Sequence, residues 1–305
     1  MHLYYEGVDM ARIVNITKCT HRDVSRGRVD CLEVEFDHAA AWHRWEPQID
    51  DVIEAERDGY TTGKLYLNTI LPKGDRYQIW ATSVPRAAQF RAWVPHANMT
   101  LAEIARRCGA ECGLDAQLYG IDGNIRYPFI LRKYEGCAAF LDRLGKWEGL
   151  AVKAYNGAFR AIAVDWVQQK AALKTLRITT SQEGVEYTDR RNTKYGTLTV
   201  STPYAEATAR DSGAPEAPAC TMTAIPALNA VEAGRWARGL LLEHNRQAEA
   251  LTVKSTFDPL MTALIRLDVE GDTAASGEWL TDEVEQDLHN GQTTVKMLRV
   301  ISTIQ

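Results

Sequence analysis

The sequence predicts a β-rich α+β chain in which small antiparallel β-barrel structure is interrupted by α/β and helical segments. Three observations predict it. Apolar and polar residues alternate with period two in several runs. Gly- and Pro-containing turns separate these runs at short intervals. The pattern then switches to helical periodicity near residue 98 and again near residue 228. At 305 residues the chain is long for one core, and two or more domains are expected.

The first stretch, residues 10–85, reads as β. In Cys31–Asp37, Leu32, Val34 and Phe36 point one way and Glu33 and Glu35 the other, the mark of a half-buried strand. Val52–Arg57 follows, with a turn at Asp58-Gly59, then Lys64–Leu71, a turn over Pro72-Lys73-Gly74-Asp75, and Tyr77–Val84. Short strands joined this way suggest a small closed barrel, because closure removes exposed edges.

From Asn98 the period changes. Thr100-Leu101-Ala102-Glu103 is a capping box, in which the threonine hydroxyl and the glutamate each satisfy an orphan amide. Leu101, Ile104, Ala105, Cys108 and Cys112 form the apolar stripe, and Gly113 supplies the left-handed stop. A second helix is expected over Glu135–Glu148, burying Ala138, Leu141, Leu144 and Trp147, with Gly149 as its stop. Leu150–Tyr155 and Ala158–Ile162 flank Asn156-Gly157, the favoured pair for a two-residue hairpin turn. Residues 98–165 therefore make a small α/β unit.

Strands are expected again at Leu176–Thr179 and Gly196–Ser201. Residues 203–227, rich in Ala, Pro and Thr, read as a loop or linker. A third helix is expected over Leu228–Ala248 with Val231, Trp236, Leu240 and Leu241 on its packed face. The remainder reads as strands at Leu251–Ser255, Met261–Leu267, Trp279–Asp287 and Thr293–Ser302, with Asn290-Gly291 closing the last hairpin.

Net charge is -5, which disfavours a dedicated nucleic-acid binder. The charge is uneven: residues 166–204 hold 6 basic and 3 acidic side chains, residues 250–305 hold 4 and 9. Cys19, Cys31, Cys108, Cys112, Cys137 and Cys220 are scattered, unlike a disulfide framework, and Cys108 and Cys112 read as buried helix residues rather than zinc ligands. His38 and His43, five apart around Trp42, do not suit two metal ligands on one helix face. Asp50, Asp51, Glu54 and Glu56 could form an acid/base pair but fit better as outward residues of a strand and its turn. No nucleophile-elbow, phosphate-loop or dinucleotide motif occurs. Trp42, Trp45, Trp80 and Trp93 are mostly expected as core, though one on the surface would make an interface anchor. The amino terminus lacks an apolar signal region, and no run of about 18 apolar residues occurs.

Several motifs carry a resemblance. Thr100-Leu101-Ala102-Glu103-Ile104-Ala105 followed by Cys112-Gly113-Leu114, the helix segment Phe140-Leu141-Asp142-Arg143-Leu144 with Gly149 after it, and the hairpin Tyr155-Asn156-Gly157-Ala158-Phe159 succeed one another. Gly277-Glu278-Trp279-Leu280 with Val284-Glu285-Gln286-Asp287-Leu288, then Thr294-Val295-Lys296-Met297, close the series. In this order they resemble the late control D and baseplate hub family of contractile phage tails, which is related to the amino-terminal hub part of type VI secretion spike proteins. Each motif mainly encodes a capped helix or a hairpin, and their joint order over most of the chain is the stronger signal. Gly136-Cys137 stands where the family usually has a polar cap, and Gln286 where histidine is common. Neither a β-helix spike nor a lysozyme or peptidase extension follows in this sequence.

The resemblance implies two Tudor-like antiparallel β-barrels. Residues 1–97 would form the first, residues 166–204 plus 250–305 the second, with the α/β unit 98–165 between them and the loop and helix 205–249 inserted. Three chains would form a homotrimeric ring whose six similar barrels adapt a hexameric tail tube to a trimeric spike. Implied partners are the tube or tube-initiator protein, the spike protein, the tape-measure protein and the baseplate wedge. DNA would be passing cargo, with no stable membrane association, no catalytic residues, no cofactor and no metal. The place would be the baseplate of a virion or tail particle assembled in a bacterial host cytoplasm. The rivals are a tail-associated cell-wall hydrolase and a host-surface glycan-binding module. Lys174, Arg177, Arg190, Arg191 and Lys194 are the candidate contacts with a partner or with the tail lumen.

Overall fold

The computed structural model describes residues 1–37, 46–74, 76–271 and 274–305. The fold is β-rich α+β, with 14 of the described strands in one hydrogen-bonded sheet. The amino-terminal part of that sheet runs, in ladder order, Val8–Asp9, His2–Tyr5, Val52–Arg57, Leu65–Lys73, Arg76–Thr82, Cys31–Asp37 and Asn15–Val24. Leu32, Val34 and Phe36 are fully buried and the glutamates between them lean outward, as the alternation predicts. They pack with Leu3, Met10, Ile53, Leu67 and Ile79 in a core enclosed by these strands. The strand expected to end at Leu71 extends to Lys73.

The carboxyl-terminal part runs Thr175–Ile178, Arg266–Gly271, Gly277–Asp287, Gln292–Arg299, Glu249–Thr256 and Val185–Asp189. Its two outermost strands are neighbours in sequence, so the sheet curls around a second core of Leu251, Leu267, Trp279, Val284 and Met297. The two lobes are not separate ladders. Thr20–Val24 pairs antiparallel with Glu283–Asp287, and this seam makes them one sheet. The expected strand Met261–Leu267 is shorter at its start, because Leu264 has a φ of 65° and the ladder begins at Arg266.

Between the lobes lies the helical part. Helix α1 (Leu101–Cys112) opens on the capping box: Thr100 Oγ1 accepts the Glu103 amide at 3.2 Å, and Glu103 accepts the Thr100 amide at 2.7 Å. Gly113, at φ 69°, ends it. Helix α2 (Cys137–Glu148) buries Cys137, Phe140, Leu141, Leu144 and Trp147, while Ala138 is only half-buried. Gly136 replaces a polar cap for a steric reason: a Cβ there would stand 2.4 Å from the carbonyl oxygen of Ala88. The hairpin Leu150–Tyr155/Ala158–Ala163 forms as expected, and Asp115–Tyr119 adds parallel to its second strand. Among the described residues, Ala92–Thr100 and Arg126–Glu135 pair only with each other, as a two-stranded ribbon over the helices. Val164–Gln168 forms a short helix, α3.

Residues 203–227 are not a linker. Glu206–Arg210 and Ala219–Met222 flank Thr197–Ser201 in a separate three-stranded sheet, so that strand pairs with the inserted segment rather than with the carboxyl-terminal lobe. Helix α4 (Ala230–Asn245) covers this sheet, capped by Asn229 Oδ1 on the Glu232 amide at 2.9 Å. Trp236 and Leu241 are buried, but Leu240 is half-buried and Val231 is 70% exposed, so the expected face was rotated. Trp236 packs on Trp147 of α2 at 4.8 Å between ring centroids. Gly239 permits this approach, since a Cβ there would fall 2.1 Å from the Trp147 carbonyl oxygen. One core therefore spans the helices, the hairpin and the inserted sheet.

Candidate interaction surfaces

The five candidate basic residues fall into two groups. Lys174 and Arg177 flank or lie on Thr175–Ile178, whereas Arg190, Arg191 and Lys194 lie on the turn after Val185–Asp189. Four of them already face carboxylates. Lys174 pairs with Asp258, Arg177 with Glu270 at 3.4 Å, Arg191 with Asp189 at 2.6 Å, and Lys194 with Glu249 at 3.7 Å. Arg177 is 88% exposed, so its pair is weak. Asp50 and Asp51 serve turns: Asp50 accepts the Arg86 amide at 2.7 Å, and Asp51 accepts the Gln48 amide at 2.6 Å and the Tyr5 hydroxyl. Glu54 and Glu56 stand on Val52–Arg57 opposite Tyr4 and His2. His38, His43, Trp42 and Trp45 lie outside the described residues. Among the described residues no group of three or more His, Cys, Asp or Glu side chains is arranged to hold a metal ion. None of the helices among them is long and apolar enough to cross a membrane.

Sequence reasoning missed a buried charge cluster where three parts of the chain meet. Lys153, on the hairpin, pairs with Asp23, on the seam strand, and lies 3.4 Å from Asp30. Asp23 also accepts the Ala263 amide, from the carboxyl-terminal lobe, at 2.9 Å. Asp30 accepts the Val24 amide at 3.0 Å. Burial pushes the Asp30 carboxyl up to about 7, against the opposing pull of Lys153. Burial also works against the Lys153 ammonium, but Asp30 and Asp23 outweigh it and hold it above the ordinary lysine value. Nearby, His21 Nδ1 lies 2.6 Å from the Tyr60 hydroxyl, and burial lowers the imidazole to about 4.

The helical part holds a second such cluster. Cys137 joins Cys108 and Cys112, and its sulfur lies 2.6 Å from Arg132 Nη1. Hydrogen bonds from the other two thiols hold the Cys137 thiol far below its usual range, while theirs are pushed up. His96, fully buried against Phe140 at 5.1 Å, is lowered to about 4 by burial and then by Arg107 and Arg132.

Two features face outward. A cleft of about 530 Å³ opens between the loop Gly27–Val29, the turn Arg86–Gln89, α2 and the hairpin. Beside it runs the ribbon. Cross-strand partners share a face. Val94/Arg132 and His96/Ile130 face the helices, whereas Trp93/Lys133, Pro95/Leu131 and Ala97/Phe129 face away. Trp93 is 64% exposed, and Phe90, Phe129 and Tyr134 are exposed with it. Trp93 is thus a surface tryptophan, on the ribbon rather than in the first lobe.

The chain is similar to the tail protein from Neisseria meningitidis MC58, with a TM-score of 0.74 and 12% identity over 98% of this chain and 95% of that one. The likeness to a tail protein of prophage MuSo2 from Shewanella oneidensis is equal in TM-score, 0.74, at 14% identity over 98% and 97% of the two chains. The Escherichia coli c3393 protein matches with a TM-score of 0.61 and 15% identity over 99% of this chain and 78% of that one. That protein is a component of the type VI secretion system with structural similarity to the T4 bacteriophage tail proteins gp27 and gp5. No protein-family model and no curated protein matches the chain. At these identities the likeness is one of fold: the chain has the fold of phage tail proteins and of a type VI secretion component.

Proposed function

We propose that the chain is a structural hub of a contractile tail or a related injection system, acting by assembly rather than catalysis. One observation carries the reading: the likeness to the meningococcal tail protein spans 98% of this chain and 95% of that one, so it concerns the whole architecture. In this reading the amino-terminal lobe and the carboxyl-terminal lobe are the two Tudor-like barrels, and three chains place six of them around an axis. The ring joins a sixfold tube to a threefold spike, with tape-measure protein and DNA as transient contents of the channel. The seam fixes the spacing of two lobes within a chain by hydrogen bonds, so only the contacts between chains remain to be set by surface chemistry.

Arg190 and Arg191 lie on an exposed turn, and electrostatics at such joints tunes register and encounter more than affinity. Reversing both to Glu is expected to impair tail formation in a producing host while leaving the folded chain intact. The primary test is electron microscopy of the purified assembly. A threefold ring on the tail axis is expected; a peripheral position with affinity for host glycans, or peptidoglycan cleavage by the pure protein, would overturn the hub reading.

A further inference from the structure

The cleft and the ribbon form one surface whose charge is unbalanced. The floor of the cleft is apolar, built by Val29, Val84, Ala138, Val152, Ala154 and Phe159. Of the two carboxylates outside the Lys153 cluster that line it, Glu135 is held by Arg143 Nε at 3.1 and 3.2 Å. The other, Asp142, is held by Lys146 at 2.7 Å and by the Gly27 amide at 2.9 Å. The two exposed bases at the mouth, Arg28 and Arg91, face no carboxylate among the described residues. Exposed Phe90 and Tyr134 stand next to Arg91 and Glu135 in sequence, and Trp93 continues the apolar surface along the ribbon.

We propose that this surface docks a short acidic segment of another protein, which seats an apolar side chain in the cleft and sets its carboxylates against Arg28 and Arg91. The volume lies within the usual range for a small-ligand cleft and suits a large side chain with its neighbours. The free guanidiniums can each hold a carboxylate through two parallel hydrogen bonds. A purely phosphate-bearing partner would use the arginines and leave the apolar floor empty. The assignment stands independently of the hub reading.

The test uses the full chain and a fluorescein-labelled peptide with a central phenylalanine flanked by glutamates, followed by fluorescence anisotropy. Two comparators carry lysines in place of the glutamates, or glycine in place of the phenylalanine. The glutamate peptide is expected to bind at least about tenfold more tightly than either. Arg28→Glu with Arg91→Glu reverses the preference toward the lysine peptide. Ala139→Trp, at an exposed position on α2 that lines the cleft, weakens binding by about tenfold without lowering Tm. Equal binding of the glutamate and lysine peptides, or binding indifferent to Ala139→Trp, overturns the proposal. Loss in the Ala139→Trp variant of an oligomer that the wild type forms also overturns it, assigning the surface to a second copy of this chain. A trimer that survives that substitution leaves the hub reading intact whatever the peptide does, so the two can fail separately.

Discussion

The Lys153 junction and the aromatic ribbon invert the usual placement of charge and grease. At the junction an ammonium and two carboxylates lie inside, where ions are costly unless paired. On the ribbon Trp93, Phe129 and Tyr134 lie outside, 64%, 45% and 57% exposed. The difference teaches where the fold uses each chemistry. Buried charge has direction, and here it joins the seam strand, the hairpin and the carboxyl-terminal lobe in one arrangement. Exposed apolar surface has no direction and adds less to this chain's own packing than a core residue would, which suits a face reserved for contact.

Four substitutions or conditions can break or sharpen that contrast. The largest expected effect is at Lys153. Lys153→Ala leaves Asp23 and Asp30 buried without their counter-ion and is expected to cost about 3–5 kcal/mol in urea unfolding; a loss under about 1 kcal/mol would show that the junction holds nothing. The second concerns pH at Asp30. Its folded pKa lies above the unfolded value, so the folded chain keeps a proton that the unfolded chain releases. Its contribution is fully present below the ordinary carboxylate range and declines as pH rises toward about 7. The stability of the wild type relative to Asp30→Asn should therefore fall across that window and level off above it. A difference that grows with pH would reverse the assignment. Buried His21 and His96, both lowered to about 4, work in the opposite direction, and they cancel when the two proteins are compared.

The third effect lies where the ribbon enters α1. Thr100→Ala removes the hydroxyl side of the capping box and should cost about 1 kcal/mol, read from the shift in denaturation midpoint. The smallest is on the ribbon's outer face. Trp93→Ser with Phe129→Ser should change stability by no more than about 0.5 kcal/mol each while raising solubility. A large loss of Tm would mean that the ribbon's aromatics belong to the core after all.

The same contrast explains what the sequence disclosed. Local devices were legible: the alternation in Cys31–Asp37, the capping box at Thr100 and the Asn156-Gly157 turn each act within a few residues. The junction was not, because Lys153 and Asp23 are 130 positions apart and nothing local marks either. The inserted strands Glu206–Arg210 and Ala219–Met222 were missed because they are short, with small and polar residues and mostly shallow burial. Val231 misled because an exposed valine on a helix looks the same in sequence as a buried one. The ribbon was hidden by pairing across an intervening helix, and its Trp93 stood among tryptophans mostly expected as core. Of the candidate bases, Lys174, Arg177 and Lys194 meet carboxylates that are distant in sequence and brought in by the fold, which nothing local marks, whereas Arg191 pairs with Asp189 only two positions before it.

The seam has a consequence for how the polypeptide reaches this shape. Among the described residues, Thr20–Val24 finds its second neighbour only in Glu283–Asp287, so that ladder stays unfinished until translation has passed that point. Such distant pairing is entropically late and slow. Until then the nascent chain carries an unsatisfied strand edge, the kind of template on which polypeptides stick to one another. A ribosome stalled before Glu283 would therefore yield an adhesive fragment rather than a smaller working part, and chaperone dependence should be greatest for chains truncated there.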